Sequence, residues 1–147
     1  MSTESAKSFE FELVTPESQA ISVSSNLVVM PGREGHLGVL PNHAPMIVEL
    51  GLGIVDIYVN GKVEDRIYIN SGFADISQEK CTILAESATM LSDVDLNQIT
   101  ASIENLENVV KNAQVDTVRQ TAQAKLLESR ILKNALENGP TVEVYNG

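Results

Sequence analysis

The chain of 147 residues has no tryptophan, and only 4% of it is aromatic. Its core must therefore be built from aliphatic side chains. Cysteine is nearly absent: Cys81 stands alone, so no internal disulfide can form, which argues against an oxidised, secreted scaffold. Positive charge is scarce, with 10 Lys and Arg against 20 Asp and Glu and a formal net charge of -10. Binding nucleic-acid phosphates needs clustered bases, so the balance argues for no nucleic acid and against adhesion to anionic lipid. It leaves contact with a membrane protein open. No apolar run approaches the ~20 residues that cross a bilayer, so no direct lipid insertion is expected. The opening, Met1 to Lys7, is neither a signal peptide nor an Arg-rich transit sequence. The chain is expected to be soluble and to stay where it is made, with its first eight or so residues frayed.

Against these absences, glycine and proline are concentrated in one place. Between Pro31 and Pro45 fall three glycines and three prolines, interleaved with apolar residues. Gly supplies backbone angles closed to other residues, and Pro fixes φ and removes a donor. The segment is therefore a shaped connector between short strands. Gly32, Gly35 and Gly38 repeat every third residue, yet no Gly-Lys-Ser/Thr follows and G-x-x-G-x-x-G is not the dinucleotide fingerprint. A phosphate cradle is not supported. His36 and His43 lie seven apart with no third Cys or His ligand, short of the three that a catalytic zinc needs. No Ser-His-Asp set, nucleophile elbow or paired-carboxylate motif stands out, so an enzyme acting alone is not expected.

Up to about residue 87 the chain reads as β-structure. Phe9, Phe11 and Leu13 alternate with Glu10 and Glu12, the period of a half-buried strand. Short strands follow at Ile21–Val23 and Leu27–Met30, then at 45–50, 54–59, 73–77 and 80–86. Thr15-Pro16-Glu17 reads as a turn. Asn60-Gly61 is the strongest hairpin signal, because both central positions of a type I′ turn need positive φ. The return strand places Val63, Ile67 and Ile69 on one face and Glu64, Arg66 and Tyr68 on the other. Cys81 alternates with Ile83 and Ala85, a buried strand position. Strands at this spacing predict a β-sandwich or flattened barrel.

The character changes near Ser87, after which glycine vanishes until Gly139. Leu96, Ile99, Ile103, Leu106, Val110 and Ala113 step by 3, 4, 3, 4 and 3, a narrow helical seam. Asp93 or Asp95 is placed to cap its start. A second helix is expected from about Asp116 to Glu137, with Ala124, Leu127, Ile131 and Ala135 on one stripe and Gly139-Pro140 ending it. Asn112 to Asp116 holds neither Gly nor Pro, so two antiparallel helices and one continuous rod are both open. The expected fold class is α+β: an antiparallel β-sandwich over residues 1–87, then an αα-hairpin over 88–147.

Charge sorts unevenly over the helices. Asp93, Asp95, Glu104 and Glu107 precede Lys111, whereas the second helix carries Arg119, Lys125, Arg130 and Lys133. Arg119, Arg130 and Lys133 fall on one side at 100° per residue. Either they face water and pair with the acidic first helix, or they await an acidic partner.

The run Pro31-Gly-Arg-Glu-Gly-His-Leu-Gly-Val-Leu-Pro-Asn-His-Ala-Pro45, with Tyr68-Ile-Asn-Ser-Gly-Phe73 and Thr82-Ile-Leu-Ala-Glu86, resembles the epsilon subunit family of bacterial F-type ATP synthase. The mitochondrial counterpart is called delta. The resemblance implies a non-catalytic rotor subunit that couples proton flow to ATP synthesis, bound to the gamma subunit and the c-ring. The location it implies is peripheral, on the cytoplasmic face of the bacterial inner membrane. Arg33, Glu34, Gly35 and His36 match the loop that meets the c-ring. Many members have an acidic residue where this chain has His36, so the chain departs from the family at that contact. Pro41, Asn42, His43, Ala44 and Pro45 match a motif that shapes the domain and its gamma contact, and for His43 a hydrogen-bonded structural role is the alternative. In the family the hairpin folds on the sandwich or extends to the alpha/beta catalytic head and restrains hydrolysis. Arg119, Lys125, Arg130 and Lys133 are then a regulatory basic helix. Some relatives bind ATP through [I/L]-D-x-x-R-A, matched here by Val94 to Ile99 with Gln98 in place of the arginine. An amide cannot replace a guanidinium fork, so no cofactor is expected. A free-standing client-gripping module and a small metalloenzyme are the rival readings.

Overall fold

The computed structural model describes residues 7–17, 21–140 and 142. Most of the expected frayed start therefore lies outside the described residues. The chain forms two compact units: the residues up to Met90 with those from Pro140 onward, and Leu91–Gly139.

The first unit is built from β1 (Phe9–Val14), β2 (Ile21–Ser25), β3 (Leu27–Gly32), β4 (Gly35–Val39), β5 (Met46–Val59), β6 (Lys62–Ile76), β7 (Lys80–Ala85) and β8 (Ala88–Met90). Their order in the sheet is β2-β1-β7-β6-β5-β3-β4, with β8 also paired to β6. Pairing is antiparallel apart from β1 with β7, which run parallel with Phe11 opposite Cys81. Three strands lie between β1 and β3 in this order, yet Phe11 and Leu13 share one core with Val28 and Met30. The sheet is thus folded over on itself, with the aliphatic core between its halves.

The fold-over is carried by β5 and β6, 14 and 15 residues long. Their Met46–Leu50 and Gly72–Ile76 ends pair with each other, with the β6 end also paired to β7, while further along β5 pairs with β3 and β6 with β8. The sequence suggests two short strands split by Gly51 and Gly53; the structure has one continuous, bent β5. Gly53 sits at φ 156° with its absent Cβ 2.7 Å from the Pro31 Cβ position, so the two strands approach only because it has no side chain. The β5–β6 turn is as expected, with Asn60 at φ 54° and Gly61 at φ 84°.

Two burial patterns depart from simple alternation. Tyr58 faces Val63 while Ile57 faces Asp65, so a register shift between them leaves Glu64 as an extra residue. A bulge changes which way the flanking side chain points. Val63 therefore packs with Tyr58, Leu27 and Val29, whereas Ile67 and Ile69 enter the main core. The face expected to be polar is buried as well. Tyr68 is 2% exposed, and Asp56 pairs with Arg66 directly across the β5–β6 ladder at 2.8 Å.

Cys81 lies in the main core, and burial, then the nearby Asp75 charge, push its thiol up to about 12. The unfolded thiol ionises near 9.0, so this group's contribution is intact below that pH and is lost as pH rises toward 12. At pH 8 the native thiol is expected to resist a thiol reagent and to react fully in denaturant. Rapid labelling of the folded protein would contradict the packing described here.

The β unit continues past the change of character at Ser87, because Ala88–Met90 pairs with Ile67–Ile69. The second unit holds a 3-10 turn (Leu91–Asp93), α1 (Leu96–Asn112) and α2 (Asp116–Glu137), two helices rather than a rod. Asp95 is the N-cap, accepting hydrogen bonds from the Asn97 N–H (2.8 Å) and the Gln98 N–H (3.1 Å). The chain breaks at an extended Ala113 without Gly or Pro. Arg119 substitutes for a conventional cap: it donates to the Ala113 carbonyl and pairs with Asp116, both at 2.7 Å. The α1 seam from Ile99 to Ala113 is half-buried, while Leu96 is exposed; no α1 residue is fully buried. On α2 the buried residues are Ala122, Leu126, Ser129, Leu132 and Ala135. Of the expected stripe Ala135 is buried, but Ala124 and Leu127 are exposed and Ile131 only half-buried, because Leu126-Leu127 and Ile131-Leu132 fit either of two adjacent stripes.

Candidate functional site

The Gly/Pro segment resolves into a tight turn and a connector. Gly32 and Gly35 are opposed at the β3–β4 turn, with Arg33 and Glu34 at its tip. A Cβ on Gly32 would lie 2.7 Å from the Gly35 carbonyl oxygen, and Gly35 has φ 141°. These glycines serve strand closeness, not phosphate binding. The Arg33 N–H donates to the Glu49 carbonyl at 3.1 Å, and its guanidinium meets the Glu49 carboxylate at 2.6 Å. Both side chains are more than half exposed, so the ion pair adds no more than about 1 kcal/mol. Glu34, Gly35 and His36 are exposed; His36, on β4, lies opposite Pro31. An open groove of about 710 Å³ runs from this turn to Met46 and Ile47 at the start of β5.

Pro41 to Pro45 links β4 to β5. Asn42 adopts φ 63° and its N–H donates to the Gln78 carbonyl at 3.2 Å, tying the connector to the β6–β7 turn. His43 Nδ1 lies 3.0 Å from the Ala44 carbonyl oxygen. Ala44 and Pro45 are exposed and Pro41 is half-buried. His36 and His43 join no metal-ligating group: among the described residues no three His, Cys, Asp or Glu side chains gather for one.

A third surface was not singled out from the sequence. Leu84 of β7 lies opposite Val14 of β1 and Phe73 of β6, and Phe73 lies opposite Glu49 of β5. Cross-strand partners share a face, so Val14, Leu84, Phe73 and Glu49 make one outward row. The adjacent outward row is Glu12, Thr82, Asp75 and Ile47 by the same registers. Phe73 and Leu84 are each 53% exposed and Ile47 is 74% exposed. With Leu52 and Val14, the first two line an open groove of about 790 Å³ rimmed by Arg33, Glu49 and Glu86. An exposed apolar cluster inside a polar rim marks a contact surface. Its signal in the sequence is broken alternation: Phe73-Ala74 and Ile83-Leu84-Ala85 put apolar residues on both strand faces.

On the helices, three of the four candidate bases have partners within their own unit. Arg119 holds Asp116 and Ala113 as above, Arg130 meets Glu107 at 2.8 Å, and Lys133 meets Glu137 at 3.2 Å. Lys125 is exposed beside a shallow groove of about 380 Å³ lined by Leu106, Val109 and Val118. The four are not gathered into one cationic patch. Gln98 is exposed, with its backbone N–H committed to the Asp95 cap.

Comparison with known proteins places this arrangement. Residues 8–90 match the family model for the ATP synthase Delta/Epsilon chain β-sandwich domain. An ATP synthase epsilon chain from Granulibacter bethesdensis is 42% identical over 118 residues, covering 80% of this chain and 86% of that one. The Rhodospirillum rubrum epsilon chain is 34% identical over 128 residues, 86% and 96% of the two chains. The fold is shared with a chain in a Euglena gracilis mitochondrial ATP synthase structure, at TM-score 0.76, 22% identity and 92% and 84% coverage. A chain in the Tetrahymena thermophila mitochondrial ATP synthase central stalk and c-ring matches at TM-score 0.55 and 12% identity, over 90% and 98%. With its β unit matched by the family model and most of its length by such relatives, the chain belongs to the epsilon chain family of ATP synthase subunits.

Proposed function

We propose that the chain is the non-catalytic epsilon subunit at the foot of the ATP synthase rotor, with its β unit joining the gamma subunit to the c-ring. The observation that carries the reading is the pair of separate surfaces on one β unit: an apolar face around Phe73 and Leu84, and an exposed polar turn at Arg33–His36. The apolar face suits a lasting contact, which we assign to gamma. Its rim carries Glu12, Glu49, Asp75 and Glu86, with Arg33 paired to Glu49 and Lys80 to Glu12, and the remaining excess of negative charge favours a partner with basic residues around an apolar centre. The Arg33–Glu34–Gly35–His36 turn suits polar loops, which we assign to the c-ring. Pro41 to Pro45 shapes the β4–β5 connection, and the His43 hydrogen-bond geometry favours its structural role.

The subunit sits peripherally on the complex, on the cytoplasmic face of the bacterial inner membrane. No helix among the described residues is long and apolar enough to cross a membrane. The helical unit acts as a brake on hydrolysis when it reaches the alpha/beta catalytic head. Internal pairing of Arg119, Arg130 and Lys133 means that those bonds must rearrange before the bases meet an acidic partner, leaving Lys125 as the most available cation. Gln98 in place of a guanidinium argues against a tight ATP site on α1.

The test is ATP hydrolysis by the assembled enzyme carrying the whole chain or one ending after Ser92. A rise of several-fold on truncation, with proton pumping kept, is expected of a brake on α1 and α2. Equal rates would remove the braking role and leave the coupling role of the β unit standing.

A further inference from the structure

Asparagine is followed by glycine at Asn60, Asn138 and Asn146, the last of which lies outside the described residues. Glycine has no side chain to shield its backbone nitrogen, so that nitrogen can attack the carbonyl carbon of the preceding side-chain amide. The attack requires the asparagine ψ to turn until nitrogen and carbon meet. Asn60 and Asn138 are both exposed, so access to water does not separate them. Backbone freedom does. Asn60 stands in the β5–β6 turn at φ 54°, beside Val59 and Lys62, which face each other in the ladder. Its N–H donates to the side-chain oxygen of Asn26. Turning ψ there breaks the hairpin. Asn138 is the C-cap of α2, directly after Glu137, with φ -116° and ψ 145°. Its N–H donates to the Asn134 carbonyl at 2.9 Å, a bond on the helix side that a turn of ψ leaves intact. Its side-chain amide donates to the Asn134 carbonyl (3.1 Å) and to Asn134 Oδ1 (2.8 Å), exposed bonds for which water competes.

We propose that Asn138-Gly139 is a self-modifying site, at which the side-chain amide is lost and the new carboxylate uncaps α2. The Gly139 nitrogen gives its proton to a solvent base and bonds to the side-chain carbonyl carbon of Asn138. The bond from that carbon to Nδ2 breaks, and ammonia leaves with a proton taken from water. Water then opens the cyclic imide at either carbonyl, leaving aspartate or, with an extra carbon in the backbone, isoaspartate. Aspartate replaces two donated hydrogen bonds by a carboxylate facing the same two acceptors on Asn134. Isoaspartate also reroutes the chain directly after the helix. Either product adds negative charge at the negative end of the helix dipole. The last turn of α2 has no basic residue to offset it, and Lys133, one turn back, is paired with Glu137. That turn, which carries the buried Ala135, then frays.

The test incubates the whole chain in mildly alkaline buffer, folded or in denaturant, and follows conversion of asparagine to aspartate and isoaspartate by peptide mass spectrometry. Fragment ions keep Asn138 apart from Asn146. In the folded chain Asn138 is expected to convert about tenfold or more faster than Asn60, because a helix end opens far more readily than a paired hairpin. In denaturant that difference should vanish, since the dipeptide is the same. Gly139→Ala, which shields the nitrogen, should slow the reaction at Asn138. Equal rates at Asn60 and Asn138 in the folded chain, or no conversion of Asn138 there while the denatured chain reacts, would overturn the site. Asn138→Asp provides one product directly and leaves the rest of the chain unaltered. Hydrogen exchange of the amides at 135–138 is expected to rise about fivefold in that variant. Unchanged exchange would overturn the uncapping of α2.

Discussion

Replacing Phe73 and Leu84 together by aspartate is expected to weaken the hold of the subunit on gamma by about 100-fold or more. The two side chains face each other on β6 and β7 and point outward, each half exposed, so neither holds up the core. The variant should therefore melt within a few degrees of the parent. Burying an aromatic anchor at the centre of an interface is worth about 2 kcal/mol or more, and a carboxylate there adds a desolvation penalty. The two carboxylates would stand opposite the apolar centre of the partner, not its basic rim, so they gain no compensating charge. Binding of the isolated subunit to purified gamma, read by calorimetry, decides it. Unchanged affinity with the fold intact would move the gamma contact elsewhere on the β unit.

The largest expected effect on stability comes from one glycine in the same region. Gly72 sits at φ 155° with its absent Cβ 2.2 Å from the Leu84 carbonyl oxygen and 2.9 Å from the Ala85 Cα. Gly72→Ala would press that carbon into backbone on β7 and also require an angle that side-chain-bearing residues rarely adopt. A loss of about 4 kcal/mol or more is expected, enough to unfold a small β unit near physiological temperature. Gly51 provides the control. A Cβ there meets nothing within 4 Å, so Gly51→Ala should change stability by less than about 0.5 kcal/mol. Thermal unfolding of the two variants side by side separates the account from the weaker claim that any glycine in a strand matters.

These two residues also show what sequence can and cannot carry. Asn60-Gly61 was readable because a type I′ turn demands positive φ at both positions, a local requirement with a local signature. The Pro31–Pro45 segment announced shaped backbone for the same reason. Gly72 did not disclose its role, since the obstacle is the Leu84 carbonyl on another strand. Val63 was assigned the wrong face because strict alternation cannot see a bulge set by pairing at Ile57 and Tyr58. The α2 stripe held at Ala135 and failed at Leu127 and Ile131, where adjacent apolar pairs satisfied two stripes equally. Charge behaved likewise: the helical period sets Arg119, Arg130 and Lys133 on one side of a helix. Their partners Asp116, Glu107 and Glu137 depended on side-chain reach, and for Glu107 on the approach of a second helix.

The exposed apolar row was legible in principle. Strands that alternate elsewhere, as β1 does with Phe9, Phe11 and Leu13, contain Leu84 and Phe73 out of phase. Such a residue is either covered in the folded chain or kept for a partner, and only coordinates distinguish the two. Here Phe73 and Leu84 stay open. That outcome turns a departure from alternation into a contact surface.

Coupling of catalysis to proton movement through this chain is decided by ATP-driven proton pumping in membranes stripped of their epsilon subunit and supplied again with it. The chain is expected to rebind and restore pumping in step with hydrolysis, and the Phe73 and Leu84 double variant to do neither. Pumping that is the same with and without the bound chain would rule the coupling role out.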